Sequence, residues 1–240
     1  MHSPFVFDFI LNVLNNKSNY QPPLEIEHLR NQLLKDKRII DIEEMGAGSR
    51  TNSSKQRAIS QVARSALKTK RLAQVLFRLA RHYQPQTIVE LGTSLGITTC
   101  YLSKANPASL ITTIEGNGAT ASIAKENFQK LGCSNIQLLH GNFDNLLPNV
   151  ISQLSSIDLA YIDGNHRYEP TINYFRQFLS KTHNDAILVF DDIHWSTEME
   201  KAWEEIKTHP SVQYSIDIFF LGFVFFRQEF KEKQNFLIRF

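Results

Sequence analysis

The sequence predicts an α/β fold: a doubly wound, mostly parallel sheet of seven strands ending in an antiparallel hairpin, with a helical extension at the N-terminus. Three observations carry this. Apolar, β-branched runs alternate with helical stripes from Gln86 onward. The first run, Thr87-Ile88-Val89-Glu90-Leu91, passes into the turn Gly92-Thr93-Ser94-Leu95-Gly96 and then a helix opening at Ile97. The last two, Tyr214 to Phe219 and Phe223 to Phe226, flank Leu221-Gly222 and read as the hairpin.

A chain of 240 residues has room for one well-cored α/β domain and an appendage. Its 42% hydrophobic and 21% charged residues are ordinary for a soluble protein, and a net charge of +2 does not single out a nucleic-acid partner. Two cysteines, Cys100 and Cys133, argue against a disulfide framework and for a reducing, cytoplasmic setting. The apolar run Phe5 to Leu14 is interrupted by Asp8 and is not expected to be a signal peptide. Phe219 to Phe226 is too short to span a bilayer.

Taken in order, Ser3 caps a helix with Pro4 in its first turn and Val6, Phe9, Val13 and Leu14 on one face. Asn15 to Pro23 is a turn-rich break, and Leu24 to Lys37 a second helix. Arg38 to Ser54 reads as loop, with Gly46 and Gly48 close together. Between Glu44 and Glu90 there is no acid, but nine bases, including Arg50, Arg57, Arg64, Arg78 and Arg81. This stretch reads as one or two amphipathic helices with a solvated basic face, or as an electropositive rim for an anionic substrate. No aromatic residues interleave its exposed bases, so nucleic acid fits poorly.

Past the glycine turn, Leu110 to Ile114 is strand two, ending in Glu115, and a helix follows with Gly132 at its C-cap. Ile136 to Leu139 is strand three, followed by Asn142, Phe143 and Asp144. Leu159 to Ile162 is strand four, ending in Asp163-Gly164-Asn165-His166. Ala186 to Phe190 is strand five, ending in Asp191-Asp192, and Ser196 caps the next helix. A polar tail, 227–240, closes the chain and ends in Phe236-Leu237-Ile238-Arg239-Phe240, expected to dock on the body.

Ligands bind beyond the carboxyl ends of such strands, and the acids Glu90, Glu115, Asp163, Asp191 and Asp192 all fall there. Glu90 has the wrong charge for a phosphate but suits an ammonium group. Glu115 is placed to accept two ribose hydroxyls. Asp163 and Asp191 end neighbouring strands, so with Asp192 they repel one another unless protonated or neutralised by a cation. A hard divalent ion such as Mg²⁺ resolves that conflict. His166 is suited to accept a proton near neutral pH.

The turn Glu90-x-Gly92-x-x-x-Gly96 resembles motif I of the class I S-adenosylmethionine-dependent methyltransferases, which have a Rossmann-like sheet. Asp163-Gly164-Asn165-His166 with Asp191-Asp192 resembles the metal-dependent small-molecule O-methyltransferases of the macrocin and catechol types. The resemblance spans Thr87 to Phe226. It implies cofactor binding by Glu90, Gly92, Thr93, Ser94, Gly96, Glu115, Asn142, Phe143, Asp144 and Asp163, and metal binding by Asp163, Asp191 and Asp192. Asn142, Phe143 and Asp144 would pack on adenine. The catechol type carries a lysine base where this chain has His166, and the sugar type a second acid where it has Asn165.

The expected organisation is a helical accessory segment (1–54), a methyltransferase domain (55–226) and the tail. The expected activity is metal-assisted O-methylation of a hydroxylated small molecule, a sugar or a phenol that can be anionic, with no membrane or nucleic-acid partner. Oligomeric state is open, a homodimer included. A nicotinamide-dependent oxidoreductase would use the same fold, but Ser94 stands where its second glycine belongs. A domain that binds the cofactor without turnover also remains open.

Overall fold

The computed structural model describes residues 3–16, 23–42 and 55–240. In chain order the elements are helix α1 (Pro4–Phe9), extended by a π-helical turn (Ile10–Leu14), α2 (Leu24–Leu33), strands β1 (Ile39–Ile42) and β2 (Lys55–Ala58), α3 (Ile59–Ala66) and α4 (Lys70–Tyr83). Then come β3 (Thr87–Leu91), α5 (Ile97–Ala105), β4 (Leu110–Glu115), α6 (Gly118–Lys130), β5 (Ile136–His140) and α7 (Phe143–Gln153). The chain continues through β6 (Ile157–Ile162), α8 (Tyr168–Leu179), β7 (Thr182–Asp191), α9 (Thr197–Thr208), β8 (Tyr214–Asp217), β9 (Leu221–Phe225) and β10 (Gln234–Leu237). The chain divides into two compact units, one of Met1–Gln86 with Thr93–Gly141 and the other of Thr87–Gly92 with Asn142–Phe240.

In the first unit β4 and β5 pair in parallel, Ile111 opposite Ile136. Ser3 accepts the Val6 N–H as N-cap of α1, and Val6, Phe9, Val13 and Leu14 are buried, the predicted face. Arg78 is the exception to the basic-face reading of α4. It is buried, and its guanidinium donates to the carbonyls of Val13 (2.5 Å) and Leu14 (3.0 Å), which the end of the π-helical turn leaves open. Burial pulls its pKa below the ordinary arginine value. Arg64 and Arg81 likewise donate to backbone carbonyls, of Leu34 and Ala105. Arg78 and Arg64 thus bind the extension to α4 and α3, and Arg81 ties α4 to the end of α5.

Residues 39–42, expected as loop, form a strand. Ile39 to Ile42 pairs antiparallel with Lys55 to Ala58. The rest of that expected loop, with Gly46, Gly48 and Arg50, lies outside the described residues, as does most of the turn-rich break after Asn15.

In the second unit the strands run β10-β8-β9-β7-β6-β3. β6 is parallel to β3 and β7, and β9 is antiparallel to both β7 and β8, the one reversed strand expected. β10, parallel to β8, is a strand beyond the seven predicted, in the tail whose apolar end was expected to dock on the body. Phe175, Phe178, Phe190, Trp203 and Phe223 fill the core, each worth about 1.5–3 kcal/mol of burial. Gly222, expected in the hairpin turn, lies instead in β9. A Cβ there would come within 2.6 Å of the Trp203 ring, so the glycine makes room for α9. The turn falls on Phe219–Phe220, where the Ile218 N–H donates to Leu221 O at 3.0 Å.

Candidate active site

The first unit holds the glycine turn after Gly92 and the acid of the next strand. Ser94 takes a positive φ of 48°, and Gly96 one of 78° as N-cap of α5. Side chains fix the turn. Glu115, at the end of β4, accepts the Ser94 N–H through Oε2 (2.7 Å) and the Asn117 N–H through Oε1 (2.8 Å). Thr93 Oγ1 lies 2.5 Å from Thr113 Oγ1, and Asn127 donates to the Leu95 carbonyl at 2.9 Å. A Cβ on Gly96 would meet the Phe128 ring at 2.5 Å. These contacts join Thr93 to β4 and Ser94 to Glu115 around the turn that Gly96 closes. Thr113 and Asn127 were not foreseen, although an inward threonine on strand two and an asparagine on the inward face of α6 were visible signals.

The second unit gathers acids around a residue that sequence reasoning passed over. Tyr161 sits on β6 opposite Glu90 of β3 and Val189 of β7, fully buried. Its hydroxyl donates to Asp163 Oδ2 at 3.0 Å. Burial raises its pKa well above the phenol range, and the charges of Asp163, Asp191 and Glu90 push the same way. Glu90, Asp163 and Asp191 therefore act on one buried hydroxyl, with Glu90 and Asp191 themselves buried. The signal was present: Tyr161 and Asp163 are two residues apart, on one face of a strand.

Gly92 belongs to this cluster. It has φ 98°, and an added Cβ would lie 1.8 Å from the Asp163 carbonyl oxygen. Only glycine lets the two backbones approach so closely, and there the Asp163 N–H donates to Leu91 O at 2.9 Å.

His166 follows on the same loop, its Nε2 3.6 Å from Asp163 Oδ1 and its ring partly exposed. The loop is braced by α7 and α8. Asn165, with φ 66°, donates to the Tyr174 hydroxyl (3.1 Å), which donates to Asp144 Oδ1 (2.9 Å). Burial, then the Asp144 carboxylate, push the Tyr174 pKa up to about 12. Phe143 packs edge-on to Tyr174, and a Cβ on Gly164 would come 2.6 Å from its ring. Asn142 accepts the Asp144 N–H at 2.8 Å as N-cap of α7. The three residues expected at adenine thus also support the loop that carries Asp163 and His166.

Asp191 ends β7, and Asp192 follows it with φ 51°, its N–H donating to Phe220 O at 2.8 Å. Among the described residues no group of three or more His, Cys, Asp or Glu side chains is arranged to hold a metal ion. The donor chemistry, hard carboxylate oxygens at the ends of paired strands, nonetheless suits a hard divalent cation. His194, which follows the Asp191-Asp192 pair, lies with its Nε2 2.8 Å from Asp217 Oδ2. Among the described residues no helix is long and apolar enough to cross a membrane.

Known proteins share parts of this sequence and its fold. The methyltransferase domain family matches residues 89–193. A catechol O-methyltransferase of Niastella koreensis is 28% identical over 138 residues, 56% of this chain and 60% of that protein, so the chain spans less than two thirds of its relative. The S-adenosylhomocysteine-bound methyltransferase of Podospora anserina superposes with a TM-score of 0.67 at 13% identity, over 95% of this chain and 98% of that one. An O-methyltransferase of Bacillus cereus in complex with S-adenosylhomocysteine gives 0.59 at 17% identity, over 67% and 83%. Residues 89–193 thus match a methyltransferase domain, and the solved methyltransferases share this chain's fold.

Proposed function

We propose that the protein is an S-adenosylmethionine-dependent O-methyltransferase acting on a hydroxylated small molecule. The observation that carries this is the placement of Glu90 opposite buried Tyr161, whose hydroxyl donates to Asp163, with Asp191 ending the adjoining strand. Such a cluster favours a cationic guest and opposes an anionic one. A sulfonium compound with an ammonium group fits; the diphosphate of a nicotinamide cofactor is repelled.

In the proposed assignment Glu90 takes the ammonium group and Glu115 the ribose hydroxyls, with Thr93, Ser94 and Gly96 lining the turn. Both Glu115 oxygens already hold backbone N–H groups, but each keeps a second lone pair for a hydroxyl. Asn142, Phe143 and Asp144 take the adenine. When bound, S-adenosylmethionine supplies an electrophilic methyl group whose leaving group is a neutral thioether. The acceptor oxygen bonds to the methyl carbon as the carbon–sulfur bond breaks, and its proton passes to His166. Asp163, 3.6 Å from the ring, stabilises the imidazolium so formed. Asn165 and Tyr174 keep the loop in place while this happens.

Metal assistance is the finer reading. Asp163, Asp191 and Asp192 would hold a divalent ion such as Mg²⁺, which would lower the pKa of an acceptor hydroxyl. Its support is the donor chemistry and the position of these aspartates at the ends of the paired strands β6 and β7. The test is incubation with methyl-¹³C S-adenosylmethionine and a cell extract, with and without chelator. Mass spectrometry is expected to find a new product heavier by one labelled methyl, formed faster when Mg²⁺ is restored. No labelled product from any extract counts against the activity, and product unaffected by chelator counts against the metal alone.

A further inference from the structure

The two cysteines are free and have no part in the proposed reaction, yet both border the glycine turn assigned to the cofactor. Cys100 sits near the start of α5, wholly buried, and its N–H donates to Gly96 O at 3.0 Å. Cys133 follows Gly132 on the connection from α6 to β5, and its N–H donates to Phe128 O at 2.9 Å. The Phe128 ring in turn fills the space where a Gly96 side chain would stand. One thiol is therefore joined to the helix that leaves the turn, the other to the residue packed against it.

The two thiols meet. Cys100 and Ser103 are three residues apart on one face of α5, and both side chains hydrogen-bond with the Cys133 thiol. Ser103 also donates to Asn135 Oδ1 at 2.5 Å, which holds that face of α5 against the segment carrying Cys133. The hydrogen bond with Cys100, helped by Ser103 and the positive charge of Lys104, pulls the Cys133 pKa down to about 6. It does so against burial and against the carboxylate of Glu25, which lies 3.2 Å from Lys104 Nζ. At neutral pH Cys133 is thus held mostly as thiolate, the form that attacks oxidants. Its place in the chain suits that reaction. Cys133 lies between Gly132 and Ser134, both exposed, and nothing stands within 4 Å of a Cβ on Gly132. A thiolate near the surface with a second thiol in contact is what an attacking and a resolving cysteine require.

We propose that Cys133 and Cys100 form a peroxide-sensitive pair that closes to an intrachain disulfide and weakens cofactor binding at the glycine turn. The Cys133 thiolate attacks one oxygen of hydrogen peroxide and the O–O bond breaks. Cys133 becomes a sulfenic acid, and the departing hydroxide takes up a proton to leave as water. The Cys100 sulfur then attacks the Cys133 sulfur. The S–S bond forms as the S–O bond breaks, and the oxygen leaves with the Cys100 proton as a second water. Two thiols are oxidised and one peroxide is reduced. Closure draws α5 and the segment after α6 together, and both carry the turn, Cys100 through Gly96 O and Cys133 through Phe128. The effect on the cofactor rests on the methyltransferase reading; the disulfide does not.

The experiment treats the reduced full chain with hydrogen peroxide and blocks the remaining thiols with N-ethylmaleimide. Peptide mass spectrometry and calorimetry with S-adenosylhomocysteine follow. The expected product is a cross-linked Cys100–Cys133 peptide pair, two hydrogens lighter than the reduced pair and reverted by dithiothreitol. Cys100→Ser should stop at a Cys133 sulfenic acid trapped by dimedone, and Cys133→Ser should leave Cys100 unoxidised, thermal melting showing each variant folded. Oxidation should slow below about pH 6, where the thiolate regains its proton. Oxidised wild type is expected to bind S-adenosylhomocysteine at least about fivefold more weakly, the low end of ordinary coupling between sites, with affinity restored by dithiothreitol. The proposal is overturned if native Cys133 resists peroxide while the urea-unfolded chain reacts, or if the products are only intermolecular disulfides or sulfonic acids. A disulfide that leaves cofactor affinity unchanged overturns it equally. Failure of the reduced protein to bind S-adenosylhomocysteine would instead strike the methyltransferase reading, and the cross-linked peptide would still decide whether the pair closes.

Discussion

With His166 replaced by alanine, methyl transfer is expected to fall about 10²–10⁴-fold near neutral pH, the usual contribution of a positioned proton acceptor. Binding of S-adenosylhomocysteine should stay near the wild-type value, because His166 is assigned to the acceptor proton and not to the cofactor. The deficit should shrink as pH rises, since the acceptor hydroxyl then ionises without help. Initial rates of both proteins from about pH 6 to about pH 10, with the acceptor identified by labelling, check this. Equal rates, or profiles that stay parallel up to alkaline pH, would remove His166 from the proton path. The geometry behind the expectation is a partly exposed ring 3.6 Å from Asp163, on a loop braced by Tyr174.

Gly92→Ala is expected to be the most damaging single change to the fold. Two costs add. Alanine at φ 98° is strained, and its Cβ would lie 1.8 Å from the Asp163 carbonyl oxygen, which belongs to backbone and cannot swing aside. Relief requires the ends of β3 and β6 to part, breaking the bond from Asp163 N–H to Leu91 O. Strain of about 1–3 kcal/mol and a lost buried hydrogen bond of similar size give about 2–6 kcal/mol, a large part of a typical domain's 5–15 kcal/mol. Urea unfolding should show a strongly lowered midpoint. Gly132→Ala is the control, with φ 61° but nothing within 4 Å of its Cβ, and should cost only the backbone term. A Gly92→Ala midpoint equal to that of Gly132→Ala would mean the approach to Asp163 is not rigid.

How far the sequence was legible depended on how local each signal was. β3, β4, β6 and the helices α5, α6 and α9 announce themselves through β-branched runs, inward stripes and the caps Ser196 and Gly132, all within one element. β1 and β10 do not. Each has only four residues, and each is a strand because of a partner elsewhere in the chain. Gly222 was misread for a related reason, since its need for space comes from Trp203 on another helix.

In the site, the charged and glycine positions could be read because their chemistry is unusual at strand ends. Tyr161 and Tyr174 were missed because, in sequence, a buried tyrosine reads as core. Their hydroxyl partners, Asp163 for one and Asp144 and Asn165 for the other, become visible only once the strands and helices are placed. Arg78 shows the reverse error: a base on a basic stretch looked solvated, but the carbonyls of Val13 and Leu14 draw it inward.

The acid cluster around Tyr161 implies a preference between two cofactors of opposite charge, and one titration decides it. Calorimetry of the wild-type protein with S-adenosylhomocysteine and, separately, with NADH should show saturable binding of the first and none of the second. Saturable binding of NADH, or heat from neither, would contradict the assignment of this sheet edge to a sulfonium cofactor.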